Sequence, residues 1–163
     1  MLIQVKNKGR LIVDEFSFKC SIGKKGLKNN KVEGDKSTPK GTFFLGDVFY
    51  RSDRVKKPLT KLKIKKITKE MVWNDNPNDK SYNKLIKSKK GVRSEKLFRG
   101  DKSYDYLIVI NYNTKKIIPN KGSAIFIHLT KNYKPTLGCI GLQKKDLLIL
   151  LKIIKKKTKI KIG

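Results

Sequence analysis

Apolar and polar positions alternate with a period of two in several short stretches of this chain, which is the pattern of half-buried strands. Leu2 to Val5 places Ile3 and Val5 on one face, and Asn7-Lys8-Gly9 then reads as a hairpin tip. Arg10 to Asp14 and Phe16 to Ile22 follow as strands. Gly23 to Asp35 is polar and rich in Gly and Asn, so it reads as a loop. A turn shaped by Gly and Pro then feeds a strand from Phe44 to Tyr50. In the very basic stretch Arg51 to Thr68, the positions of Leu62, Ile64 and Ile67 fit a strand with a solvated lysine face better than a helix.

Further along, Met71-Val72-Trp73 precedes a turn cluster at Asn74 to Asp79, and Ser81 to Ser88 reads as a loop or a short helix. Ser94 to Arg99, with Asp101, reads as a charged loop. Tyr104 to Tyr112 is the clearest buried strand, and Asn113 to Gly122 is a turn and loop. A second apolar run, Ser123 to Leu129, ends near His128. Only Gln143 to Lys156 has helical spacing, with Leu147, Leu148, Leu150, Leu151 and Ile154 forming one wide apolar face. Lys159 to Ile162 alternates again and is expected to close the sheet. The expected fold is mainly β with one principal helix near the C-terminus, in a single domain spanning residues 1–163.

Charge changes this picture only in part. The chain carries 41 basic and 13 acidic residues, a net charge of +28, and all but five of the basic residues are lysine. Such a balance attracts polyanions, so nonspecific polyanion binding is one expectation. The lysines are spread over the whole chain, however, alongside abundant Ile and Asn, as a biased composition would produce. No zinc-finger, RRM, KH or helix-turn-helix motif is present. No run approaches the roughly 18 apolar residues of a membrane span, and the first residues show no signal-peptide pattern.

The candidate chemistry lies in two residues. His128 is the only histidine, and it stands eleven positions before Cys139, one of two cysteines. A thiol becomes a good nucleophile when an imidazole removes its proton during attack or holds it beforehand as a thiolate–imidazolium pair. Gly138 beside it would let the backbone approach a carbonyl and aim N–H groups at its oxygen. The alternative is a small buried cysteine and a satisfied core histidine. If the helix start at Gln143 pointed at the sulfur, its dipole would favour a thiolate. Cys20 is read as a free, inward-facing strand residue, because a disulfide to Cys139 would disable the nucleophile. Two cysteines and one histidine make a poor ligand set, so neither a metal nor another cofactor is expected.

Two further candidates carry open alternatives. Trp73 either packs in the core or walls a substrate groove. Arg99 either clamps a substrate carboxylate through its planar guanidinium or forms a surface salt bridge with Asp101 or Glu95.

Thr136, Gly138, Cys139 and Ile140, with His128 upstream at a strand end, resemble the signature of the L,D-transpeptidase (YkuD-type) catalytic domain family. The signature often has a second His where Leu137 stands and an Arg where Gly141 stands, which suggests a compact, divergent branch. A second segment resembles the same family: Gly34, Asp35, Thr38, Pro39, Gly41 and Phe43 match its Gly-Asp-x-x-Thr-Pro-x-Gly-x-Phe pattern. The resemblance covers nearly the whole chain. It implies a β-sandwich or barrel-like catalytic fold, with the second segment helping to build the floor beneath the cysteine.

The resemblance also implies a function: a peptidoglycan L,D-transpeptidase that acylates Cys139 with a stem peptide and transfers the acyl group to an amine. A backbone carbonyl near Leu129 would orient His128. Thr136, Ile140, Arg99, Trp73 and Tyr112 are the expected substrate-binding residues. Stem peptides are the expected partners, and carbapenems the expected covalent inhibitors. Hydrolysis of stem peptides, as a carboxypeptidase or amidase, is one alternative; a basic polyanion-binding protein without chemistry is the other. The substrate implies a periplasmic or wall-facing location, against which the absent signal pattern stands.

Overall fold

The computed structural model describes all 163 residues. The N-terminal alternation forms a meander of β1 (Leu2–Lys6), β2 (Arg10–Val13) and β3 (Phe16–Lys19). Ile3, Val5, Leu11, Val13 and Phe18 are all buried on its inner face. Gly9 holds the first hairpin tip with φ 69°, a conformation that a side chain would strain. Two-residue strands β4 (Leu27–Lys28) and β5 (Thr38–Pro39) pair in parallel and tie down the loop between them. The long strand β6 (Gly41–Tyr50) follows, with the short β7 (Ile64–Lys66) paired to its end.

Next come β8 (Met71–Asn74), β9 (Leu85–Lys87) and β10 (Ser94–Lys96), which form a separate three-stranded sheet with β8 in the middle. The chain finishes with β11 (Tyr106–Ile110), β12 (Phe126–Leu129), β13 (Ile140–Leu142), α1 (Lys144–Ile153) and β14 (Lys159–Ile162). The main sheet runs β13-β12-β11-β6-β14-β1-β2-β3. Its two ends meet just past β3: Ser21 and Gly141 exchange both backbone hydrogen bonds at 2.9 Å. The result is a nearly closed, barrel-like sheet. The last strand does not cap an edge; β14 inserts between β6 and β1, with Ile160 paired to both Phe43 and Ile3.

Two apolar layers follow from this closure. Inside the barrel lie 24 buried residues, including Leu147, Leu150, Leu151 and Ile154 from the helix, which plugs the interior. Each such leucine contributes about 1.5–3 kcal/mol by leaving water. Outside it, ten buried residues fill the space between the small sheet and the outer face of β6, β11 and β12; Phe49, Trp73, Leu97, Leu107, Val109, Phe126 and Cys139 are among them. Strand β11 is buried at every position because both its faces are covered: Tyr106, Ile108 and Ile110 point inward, Leu107 and Val109 outward.

Several sequence expectations are corrected. The Ser81 to Ser88 stretch is neither loop nor helix throughout but turns into β9, and part of the charged Ser94–Arg99 segment is β10. These strands pair with β8 over only three residues each, too few for an alternation to show. The basic stretch after Arg51 is strand only at Ile64–Lys66. The helix ends at Ile153, because Ile154 turns extended at φ −68°, ψ 150°. The run Ser123–Leu129 is strand only from Phe126, since Ala124 adopts φ 52°.

Candidate active site

A groove of about 700 Å³ opens beside the small sheet, and both His128 and Cys139 line it. Alternation along β12 explains the histidine: Ile127 and Leu129 belong to the barrel core, so Phe126 and His128 face outward. The His128 Nδ1 lies 2.9 Å from the Leu129 carbonyl oxygen. A carbonyl can only accept, so Nδ1 carries the proton and Nε2 keeps its lone pair. The Tyr104 ring meets the imidazole edge-on at 5.4 Å. Burial pushes the His128 pKa below its ordinary value, opposed by the bond to the Leu129 carbonyl. The imidazole is therefore held neutral.

Cys139 sits at the end of a stapled turn. The Thr136 hydroxyl donates to the Cys139 carbonyl at 2.5 Å and accepts from the Gly138 N–H at 3.1 Å. Gly138 has φ 144°, and a Cβ there would stand 2.9 Å from the Ser37 carbonyl oxygen. Glycine is required at this point on both counts. One expectation changes: the Gly138 N–H is engaged inside the turn and is not offered to a ligand. The Cys139 N–H, like that of Leu137, has no acceptor and remains a free donor of the turn.

The sulfur is oriented by backbone. Cys139 Sγ donates to the Ala124 carbonyl at 3.2 Å and accepts from the Phe126 N–H at 3.4 Å. Asn83 holds Ala124 in place, its Oδ1 accepting from the Ala124 N–H at 3.1 Å and from Trp73 Nε1 at 2.8 Å. Burial pushes the Cys139 thiol up to about 12, and Glu95 adds to the rise; the Phe126 N–H, Lys31 and Arg99 oppose it. A neutral thiol and a neutral imidazole share the groove, with no hydrogen bond joining them. The helix dipole does not alter this. Three residues of β13 separate Cys139 from the helix start, about 10 Å of strand, and the dipole effect fades within the first turn.

The remaining expected residues divide. Thr136 lines the groove, but its hydroxyl is consumed in the staple, and its backbone is tied to Ile22 and Lys24. Ile140 is corrected from substrate contact to barrel core: it is fully buried and paired with Ile127, on the opposite face from Cys139. Trp73 is likewise core, 7% exposed and edge-on to Phe126 at 5.1 Å, and it does not line the groove. Nor does Tyr112, whose hydroxyl bonds the Lys121 carbonyl and whose ring packs edge-on against Phe43. Arg99 lines the groove but is bound by Asp101 at 2.6 Å, which is the salt-bridge alternative.

The Gly34–Phe43 segment does reach the cysteine turn, through Ser37 against Gly138. Its Asp35 carboxylate accepts from Lys31 Nζ, the Val32 N–H, and the Ser37 N–H and hydroxyl. Sequence reading missed three groove residues. Lys31 is one lysine among many, and nothing local marks it. Glu95 and Tyr104 hydrogen-bond each other across the groove wall; burial raises the pKa of each. The Glu-Lys-Leu alternation of residues 95–97 was the one available signal, since it places Glu95 and the fully buried Leu97 on the same face.

Comparison with known proteins gives one family. The model of the L,D-transpeptidase catalytic domain, YkuD, matches residues 2–162. A solved structure, an L,D-transpeptidase from Mycobacterium smegmatis, is similar at 12% sequence identity and a TM-score of 0.46, covering 99% of this chain and 58% of that one. This chain thus spans little more than half the length of that protein. No curated protein matches.

Proposed function

Because the chain belongs to the L,D-transpeptidase (YkuD) catalytic domain family, which acts on peptidoglycan stem peptides, we propose that it crosslinks those peptides through a thioester on Cys139. The observation that carries this reading is the shared groove: the one histidine and the turn cysteine open into it from neighbouring strands. The Leu129 carbonyl leaves the His128 Nε2 lone pair free to act as a base.

The resting thiol donates to the Ala124 carbonyl and makes no hydrogen bond to His128, which favours a general-base route over a preformed ion pair. The thiol turns from the Ala124 carbonyl toward the substrate and passes its proton to Nε2 as Sγ attacks the peptide carbonyl. The oxygen of the tetrahedral intermediate takes up the negative charge, and the Cys139 N–H donates to it; one such donor is typically worth about 3 kcal/mol. The C–N bond then breaks, and the leaving amine receives the proton from the imidazolium. An acceptor amine next gives a proton to Nε2, attacks the thioester and frees the thiol. Burial of the imidazolium and thiolate is unfavourable at rest, so substrate binding must supply the stabilisation. The site of action is the cell wall; no helix of the chain is long and apolar enough to cross a membrane.

Incubation with purified muropeptides followed by mass analysis tests this. Crosslinked dimers in the native protein and none in Cys139→Ala are expected. Shortened peptides without dimers would make the protein a hydrolase, with water as the acceptor. Unchanged muropeptides would reject the chemistry and leave polyanion binding, recognised by its steep salt dependence.

A further inference from the structure

Lys31 is the only buried lysine of the chain, with its side chain 3% exposed. Its stem passes Gly122 so closely that a Cβ there would stand 2.8 Å from Cε. The Nζ borders the groove beside Gly138, 3.4 Å from where a Cβ of that residue would be. It donates to Asp35 Oδ1 at 2.8 Å. An ammonium has three N–H bonds, and the other two find no protein acceptor. A cation is withdrawn from water at high cost unless it is paired and hydrogen-bonded. Here the pairing is incomplete on the side of the groove.

Charge points the same way. Asp35 alone would neutralise Lys31, but Lys28 Nζ lies 3.4 Å from its other oxygen, so the three groups together carry one positive charge. Among the other groove cations, Lys131 and Lys134 are exposed to solvent, and Arg99 is bound by Asp101 and stands over the Tyr104 ring at 4.9 Å. Arg93 lies 3.3 Å from Asp75. Lys31 is thus a buried cation with spare donors next to the turn that bears the thiol.

We propose that the Lys31 ammonium anchors a carboxylate of the peptide substrate beside Cys139. This rests on reading the groove as a stem-peptide site. A carboxylate fits because the peptides of that class carry several, and because the Cys139 N–H is already available for the carbonyl under attack. Asp35 fixes the ammonium from behind, so little side-chain entropy is lost on binding.

Two experiments test the anchor. The first needs no turnover: Cys139 is alkylated with iodoacetate and, separately, with iodoacetamide, in the native protein, Lys31→Met and Lys31→Arg. The ratio of the two rates cancels changes in thiol reactivity. It should fall about tenfold in Lys31→Met and be kept in Lys31→Arg, as expected for losing one charge-assisted hydrogen bond. An equal ratio in all three overturns the anchor. The second uses synthetic stem peptides with each carboxylate amidated in turn, reading acyl-enzyme mass. Amidation at one position should slow the native protein at least about tenfold and leave Lys31→Met unaffected. A native protein indifferent to every amidation overturns the anchor without need of a variant. If no peptide acylates the native protein, the proposed function fails, and the alkylation ratio alone decides the anchor.

Discussion

The Cys139 thiol donates to the Ala124 carbonyl at 3.2 Å, so the resting nucleophile is held by backbone and not by the histidine. Burial keeps it protonated up to about 12, against an ordinary value near 9.0. The native state therefore holds a proton that the unfolded chain has lost in that window, and stability falls as pH rises through it. The contribution is complete below about pH 9 and lost toward pH 12. The melting temperature should drop less steeply across this range in Cys139→Ala than in the native protein. Cys20, pushed to about 12 by burial in the barrel, should behave alike in Cys20→Ala. Parallel curves for the native protein and both variants would contradict the buried-thiol assignment.

Thr136 fastens the turn at both ends of its hydroxyl. Thr136→Val keeps the shape and removes the bonds, leaving the Gly138 N–H and the Cys139 carbonyl without this partner. A cost of about 1–3 kcal/mol follows. For a chain of this size each kcal/mol lowers the melting temperature by about 2–4 °C. Thr136→Ser should recover most of it, and calorimetry on the three proteins checks this.

Trp73 fills the outer core, and its indole N–H is bonded to Asn83. Trp73→Ala should destabilise by about 3–5 kcal/mol. Trp73→Phe should fold with a smaller loss and bind stem peptides with unchanged KM. A large KM rise in a well-folded Trp73→Phe would return Trp73 to the groove.

Carbapenems offer a strained lactam carbonyl in place of the scissile amide. Mass spectrometry should find one adduct, on Cys139 and none on Cys20, which lies 4% exposed within the barrel core. Leu137, 69% exposed at the groove lip, stands where the signature that the sequence resembles often has a second His, and should slow this reaction without preventing it. An adduct on Cys20 with Cys139 untouched would remove the basis for the nucleophile assignment.

The short alternating strands β1, β2, β3 and β14, and the apolar runs of β6 and β11, were legible in the sequence. Strands β9 and β10 were not, because each pairs with β8 over only three residues, too few for a period to show. Period two also bears on the site. Ile140 follows Cys139 directly, so if the cysteine faces the groove the isoleucine must face the core. Lys31 was invisible for a different reason. Its role depends on Asp35 and on the space left by Gly122 and Gly138, and a sequence rich in lysine does not single it out. The positive φ of Ala124, which breaks the strand and aims its carbonyl at the thiol, likewise leaves no mark in composition.

The central claim is that His128 draws the proton from Cys139 as a stem peptide is taken up. Rapid mixing with a stem tetrapeptide, read by intact-protein mass, measures it most directly. The native protein should gain one acyl mass on Cys139, with a rate that falls below about pH 6.5 only as the lowered His128 pKa is crossed. His128→Ala should slow acylation about 10²–10⁴-fold, and Cys139→Ala should show none. Acylation of His128→Ala at the native rate, or turnover by Cys139→Ala, would contradict the account.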